Sequence, residues 1–307
     1  MMKLFILGGK MIRAINGLRQ VALLAFLLYT TTSHATILQT QYSQTPIRYY
    51  GAQFEPALKQ GLKNEGLKKY LNEVLKSDHY AKDNDYDQIG NCPEVESGRC
   101  YHHFVYNYTD ARKILFGQLH LTQVGNSYAI KGVYCNTFFG DESFGRGNGP
   151  SPGRIPSHQV VNAEHTWPQS HFTKRYPALT QKTDLHHLFP SSSRMNSTRG
   201  NRDFGIVEKM TAETCPAFKV GLPSGIPAVH AEPPDSHKGN VARAMMYFSI
   251  RYETPINTYQ EAVFRLWNKM DPVDAEEWNR AEAIFTVQGV RNPFIDFPNL
   301  ADYIADF

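Results

Sequence analysis

Beyond residue 35, this 307-residue chain has no apolar run long enough to cross a bilayer, which takes about 20 residues. No later membrane segment is therefore expected. It has no internal repeat, so length alone must decide between one large domain and two small ones. Neither sign of charge is in real surplus. The formal net of +3 comes from Lys3, Lys10, Arg13 and Arg19, in a stretch without an acid; without residues 1–35 there are 28 basic and 29 acidic side chains, a net of −1. Global charge thus gives no support for binding a polyanion, and any such case must be local. Cysteines are few, and none stand in C-x₂-C spacing, which speaks against a Cys₄ zinc site. No H-E-x-x-H occurs either.

What is present begins with a leader. Arg13 and Arg19 precede the apolar run Val21 to Leu28, and Ser33-His34-Ala35 follows with small residues where a signal peptidase would read. Residues 1–35 are expected to be a signal peptide and 36–307 a single domain in an exported chain. In that setting Cys92, Cys100, Cys135 and Cys215 suggest two disulfides, with three possible pairings. Cys92 and Cys100 enclose a short acidic loop and are the first choice, which leaves Cys135 with Cys215.

The remaining chain divides by pattern. Residues 36–52 read as an extended lead-in. Residues 54–76 carry helical spacing (Leu58, Leu62, then Leu67, Leu71, Val74), weakened by Gly61 and Gly66, so two short helices are an alternative. Tyr101 to Tyr108, Ile114 to Leu121 and Tyr128 to Tyr134 are rich in aromatic and β-branched residues and predict strands, with a turn at Gly125-Asn126. Residues 140–157, with five Gly and three Pro, predict a loop. Helices are expected over 240–252 and about 272–287, the second with Pro272 near its start and Gly289 past its end. Strands in the middle and helices at both ends make the class α+β.

Chemistry concentrates in residues 158–204. Five of the twelve histidines (His158, His165, His171, His186, His187) fall within 30 residues there. Such clusters with carboxylates suggest metal or acid–base work. Val160 to Ser170 reads as a strand ending near Pro168. From Asp184, a short apolar strand stops at Pro190, and Ser191 or Ser192 can cap a short helix bearing Asn196. Asn196 and Arg199 are three apart and share a helix face, which makes Arg199 a candidate phosphate clamp. Lys174, Arg175, Lys182, Arg194, Arg199 and Arg202 outweigh Asp184 and Asp203 by four charges over residues 174–203. That patch would hold a phosphate backbone without reading sequence. Lys174, Arg175, Arg199 and Arg202 are the substrate-binding candidates.

Several separated motifs resemble the endonuclease I family of exported bacterial nucleases. They are Ala163-Glu-His-Thr-Trp-Pro-Gln-Ser170, Asp184-Leu-His-His-Leu-Phe-Pro190, and Met195-Asn-Ser-Thr-Arg-Gly-Asn201 with Phe204-Gly205. Val241-Ala-Arg-Ala244 with Arg251-Tyr252, and Gln288 to Asp296, are also similar. The resemblance covers roughly residues 65–300. It implies a ββα-metal (His-Me finger) core at about 158–204. It also implies His165 as general base, and Glu164 with Asn196 as ligands to one Mg²⁺, which Mn²⁺ or Ca²⁺ can replace in binding. The implied products carry 5′ phosphates. Two positions depart from the pattern: His187 and Val290 stand where Asn is common.

These residue types suit phosphodiester hydrolysis. An imidazole near its ordinary pKa of about 6.5 can take a proton from water. Mg²⁺ prefers hard oxygens and keeps several waters, so one carboxylate and one amide oxygen suffice. Neighbouring strand residues point to opposite faces, so Glu164 and His165 can share a site only where the strand ends or bends. A monomer is expected, in the periplasm or the medium, acting on DNA, with RNA left open. Two other functions compete. A secreted zinc hydrolase would hold stoichiometric zinc. A dead nuclease scaffold that only binds nucleic acid would usually have lost one of Glu164, His165 and Asn196. Blander roles fall to His186, His187 and His171 as structural or surface groups, and to Trp167 and the Tyr101–Tyr108 aromatics as core.

Overall fold

The computed structural model describes residues 45–90, 92, 99–145 and 147–307. The leader 1–35, and 36–44 of the lead-in, lie outside the described residues. The described ones belong to one unit, Thr40–Phe307.

At the centre is the helix Asp235–Tyr252, with fifteen of its eighteen residues buried. A helix apolar on one stripe would expose the rest; this one is covered on all sides. It is flanked by the helices Asn64–Lys76, Thr258–Met270 and Pro293–Asp296 and by the turn Leu185–His187. The charge it buries is paired: the Arg243 fork donates from Nε to Glu277 Oε1 at 2.8 Å and from Nη2 to Oε2 at 2.5 Å. A second apolar cluster joins Ala111, Leu115, Phe116, Ile130, Val161, Ala163, Leu185, Leu188 and Ile284, and ties the strands to the helix Tyr108–Ile114.

The strands form small antiparallel sheets. Leu121–Val124, Ser127–Gly132 and Thr137–Phe139 make a meander, and Val161–His165 pairs with Leu188–Ser192 as a two-stranded hairpin. The helix Ser193–Arg199 follows directly, and Ser192 Oγ accepts from the Met195 N–H at 3.2 Å, the cap the sequence offered. The mixed architecture agrees with the α+β class.

Several local expectations are corrected. Residues 45–49 are helical, not extended. The 54–76 segment is two helices, Phe54–Lys59 and Asn64–Lys76. Of the Tyr101–Tyr108 run only Cys100–Tyr101 is strand; a helix starts at Tyr108 because Asn107 Oδ1 caps the Asp110 N–H at 2.9 Å. The expected Ile114–Leu121 strand is the end of that helix followed by a wide turn, Leu115–Leu119. Its apolar residues serve a helical face rather than an alternating one. Pro190 does not stop its strand but sits inside it opposite Ala163. Its carbonyl accepts from Val133 N at 2.9 Å, outside the hairpin. The missing N–H would point the same way, so the hairpin ladder loses no bond. The two disulfides are Cys92–Cys100 and Cys135–Cys215, the expected pairing, with Cα atoms 5.6 and 5.8 Å apart.

Candidate active site

The hairpin register determines which groups face the helix. Thr166 N–H donates to His187 O at 3.0 Å, so 166 with 187 is a hydrogen-bonded pair. In antiparallel strands such pairs alternate with pairs whose polar groups point outward. Ala163 with Pro190 and His165 with Leu188 are of the outward kind. The carbonyls of Ala163 and His165 are therefore offered to the helix Ser193–Arg199. Asn196 Nδ2 donates to Ala163 O at 3.2 Å, and Arg199 Nη1 donates to His165 O at 2.9 Å. Strand and helix are thus locked by the two helix residues the sequence placed on one face.

Glu164 is 2% exposed. Its Oε1 accepts from Tyr134 Oη at 2.8 Å and lies 3.0 Å from Arg199 Nη1. Burial pushes its carboxyl pKa up, which the Arg199 charge and the tyrosine hydroxyl oppose. Oε2 takes part in neither contact. Tyr134 is itself held: it stacks on Phe218 at 4.4 Å, and Cys135 beside it is bound to Cys215.

His165 is the last residue of its strand, and its ring has neighbours other than those of Glu164. Its ring lies 6.0 Å from that of Tyr108, 6.3 Å from Phe172 and 5.5 Å from His187. Nε2 lies 3.1 Å from the Lys182 carbonyl. A carbonyl only accepts, so Nε2 carries the proton and Nδ1 keeps the lone pair. The Gln169 amide reaches Nδ1 at a long 3.4 Å. Burial lowers the ring's pKa to about 3, helped by the neighbouring His187 and by Lys182 and Arg199. The imidazole is neutral at physiological pH.

Asn196 turns its Nδ2 to Ala163, which leaves Oδ1 for another partner. It lines a cavity of about 280 Å³ with Tyr108, Arg112, His158, Asn162 and Ala163. Among the described residues no group of three or more His, Cys, Asp or Glu could hold a metal ion. Glu164 Oε2 and Asn196 Oδ1, one carboxylate and one amide oxygen, are left without a protein partner by the contacts above. Both are hard oxygens, as Mg²⁺ prefers, and waters would complete the shell. All four cysteines are engaged in disulfides, so the Cys₄ zinc site has no ligands.

The other expected residues are placed differently. Arg199 is 1% exposed, its Nη2 donates to Thr166 O at 2.6 Å, and its Cζ lies 4.4 Å over Phe204. This corrects the phosphate-clamp expectation: the fork is used inside the protein and holds Glu164 and the end of the strand. Arg202 is exposed but donates to the Thr198 carbonyl at 2.8 Å, capping the helix C-terminus. Arg175 is exposed and paired with Glu253 at 3.0 Å. Lys174 is exposed. His186 and His187 are not on a strand; they lie in the turn Leu185–His187, where Nε2 of each donates to a carbonyl (Val290 at 2.9 Å, Gln181 at 2.7 Å). His158 and His171 are exposed, and Trp167 is buried against Phe248 at 4.8 Å.

Sequence patterns did not single out Tyr134, Tyr108, Arg112 or the support beneath the turn. That support is Asp184, whose Oδ2 accepts from Tyr247 Oη at 2.8 Å and Tyr252 Oη at 2.7 Å, while Oδ1 accepts from Gln288 Nε2 at 2.9 Å. The i,i+4 spacing of Tyr108 and Arg112 becomes a signal only with residues 108–114 in a helix.

Fold and site define an α+β protein with a histidine, a carboxylate and an amide gathered on one hairpin and its following helix. The chain belongs to the endonuclease I family, whose sequence profile matches residues 50–299. It is 36% identical over 165 residues to an extracellular ribonuclease of Bacillus subtilis (strain 168), covering 47% of this chain and 53% of that protein. It is 31% identical over 118 residues to Endonuclease-1 of Buchnera aphidicola (subspecies Baizongia pistaciae), covering 37% and 46%. A periplasmic deoxyribonuclease of Aeromonas hydrophila is 28% identical over 114 residues, covering 37% and 47%. The matches span about half the length of these relatives.

Proposed function

We propose that the chain is an exported, Mg²⁺-dependent endonuclease that hydrolyses phosphodiester bonds of DNA with little sequence specificity and leaves 5′-phosphate ends. The hairpin 161–192 and helix Ser193–Arg199 are read as the ββα-metal motif. Relatives named as nucleases, and as extracellular or periplasmic, support the class and the export. The ribonuclease relative keeps RNA as a second substrate. Among the described residues no helix is long and apolar enough to cross a membrane.

The observation that carries the proposal is the fixed tautomer of His165. With Nε2 donating to Lys182, Nδ1 is the atom left to take a proton from water, and the Gln169 amide at 3.4 Å is a weak competitor for it. Burial keeps the ring unprotonated at neutral pH, and a phosphate anion arriving beside it raises its basicity. Glu164 and Asn196 supply the oxygens that would hold Mg²⁺, a Lewis acid for the phosphate and leaving oxygens. Arg199 and Tyr134 orient the Glu164 carboxylate.

The test is digestion of supercoiled DNA, linear DNA and RNA by the mature protein, with Mg²⁺ and with chelator, followed by end-group analysis. Cleavage with Mg²⁺ that leaves 5′ phosphates and is lost in chelator or in His165→Ala is expected. Undiminished cutting by His165→Ala would remove the base assignment.

A further inference from the structure

The clamp role does not fall on Arg199, yet two other cations stand beside the site with no carboxylate partner among the described residues. Arg112 Cζ lies 5.0 Å from the centre of the Tyr108 ring, and Lys182 Nζ lies 4.2 Å from it. That ring is 6.0 Å from His165. Among the described residues neither cation is paired with a carboxylate. The Arg112 Nε–H is buried and has no hydrogen-bond acceptor.

The two cations also reach the two halves of the site. Arg112 lines the 280 Å³ cavity with Asn196 and Asn162. Lys182 is the residue whose carbonyl fixes the His165 tautomer. Tyr108 borders both, with its ring near that of His165 and in the cavity wall with Asn196. A guanidinium without a carboxylate partner, in the wall of a polar cavity, calls for an anion with several acceptor oxygens. The helix is placed for this. Asn107 caps it, Ala111 is buried beneath it, and Tyr108 and Arg112, four apart and both half-buried, are neighbours along one side.

We propose that Arg112 and Lys182 are the phosphate-binding cations of this site and that Tyr108 is the positioning residue that holds them. The proposal rests on the nuclease reading for its substrate class, a nucleic-acid phosphodiester.

The experiment measures binding of a short DNA duplex to the His165→Ala protein in chelator, as a function of salt. Adding Arg112→Gln, or Lys182→Gln, is expected to weaken binding and reduce the log–log salt slope by about one each, since each lost phosphate contact releases one counterion fewer. In the active protein the same substitutions should lower kcat/KM by about 10- to 100-fold. Arg112→Lys should keep the slope. Tyr108→Leu should lower it and Tyr108→Phe should not, because the ring face alone holds the cations. Salt slopes equal to the parent's in both glutamine variants would overturn the proposal. If Arg112→Gln does not fold, judged by thermal unfolding, the half-buried Lys182→Gln decides. Failure of the wild-type protein to cut DNA with Mg²⁺ would instead remove the nuclease reading, while the binding slopes still report on the two cations.

Discussion

Replacing Arg199 with methionine should unfold the protein early rather than merely loosen its hold on DNA. The guanidinium donates to the carbonyls of His165 and Thr166 and faces Glu164 at 3.0 Å, and neither charged side chain is more than 3% exposed. Methionine fills similar volume but leaves a buried carboxylate without its cation. Removing one partner of such a pair costs about 3–5 kcal/mol. For a domain of this size each kcal/mol lowers Tm by about 2–4 °C, so a fall of roughly 6–20 °C is expected. The assay is thermal unfolding followed by circular dichroism, in chelator so that bound metal does not restore stability. Combining Arg199→Met with Glu164→Gln should recover part of the loss, because the amide needs no counter-charge. Suppose instead that Arg199→Met melts with the parent and only its DNA affinity falls. The guanidinium would then be reaching substrate, and the burial argument would be wrong.

Other perturbations test the supports. Serine at both Cys135 and Cys215 opens a loop of 80 residues and should cost about 4–5 kcal/mol of stability in denaturant titrations. It should also reduce cleavage more than Cys92→Ser with Cys100→Ser, because Tyr134 is anchored beside Cys135. Gly117→Ala puts a Cβ 2.4 Å from Gly153 N, where the two backbones touch; about 1–3 kcal/mol should be lost, read by urea unfolding. Acid should destabilise the fold well above the carboxylate range. Burial lowers the imidazoles of His103 and His186 to about 4 and His237 to about 3, against about 6.5 when unfolded. Between those values the unfolded chain binds more protons. Stability is therefore complete above about pH 6.5 and falls on acidification by up to about 1.4 kcal/mol per pH unit for each histidine. A flat Tm from pH 7 to pH 4.5 would contradict that.

What could be read beforehand was local. Ser192 stands before the helix it caps, Gly289 ends the helix Ala275–Gln288 with its left-handed backbone, and the cysteine pair enclosing a short loop left one choice for the other two. The ordered Glu164-His165 and Asn196 motifs placed the candidate residues on strand and helix. What could not be read depends on how elements meet. Spacing of three put Asn196 and Arg199 on one face, but only the hairpin register decides that this face meets strand carbonyls rather than solvent. The aromatic run ending in Tyr108 looks like a strand by composition, and one Asn107 cap outweighs it. The apolar pattern around His186 and His187 reads as an alternating strand, yet Asp184 Oδ1 accepts from the His186 N–H at 3.1 Å and curls them into a turn. Arg112 lies far from the motif in sequence, and only packing of its helix brings it to the cavity.

Calorimetric titration of Mg²⁺ or Mn²⁺ into the parent protein and three variants, paired with a cleavage assay, goes straight to the oxygen donors and the base. One ion should bind to the parent and to His165→Ala, the latter unable to cut. Glu164→Gln and Asn196→Ala should each lose that ion and, with it, cleavage. An ion held as tightly after both of those substitutions would place the metal elsewhere and contradict the site described.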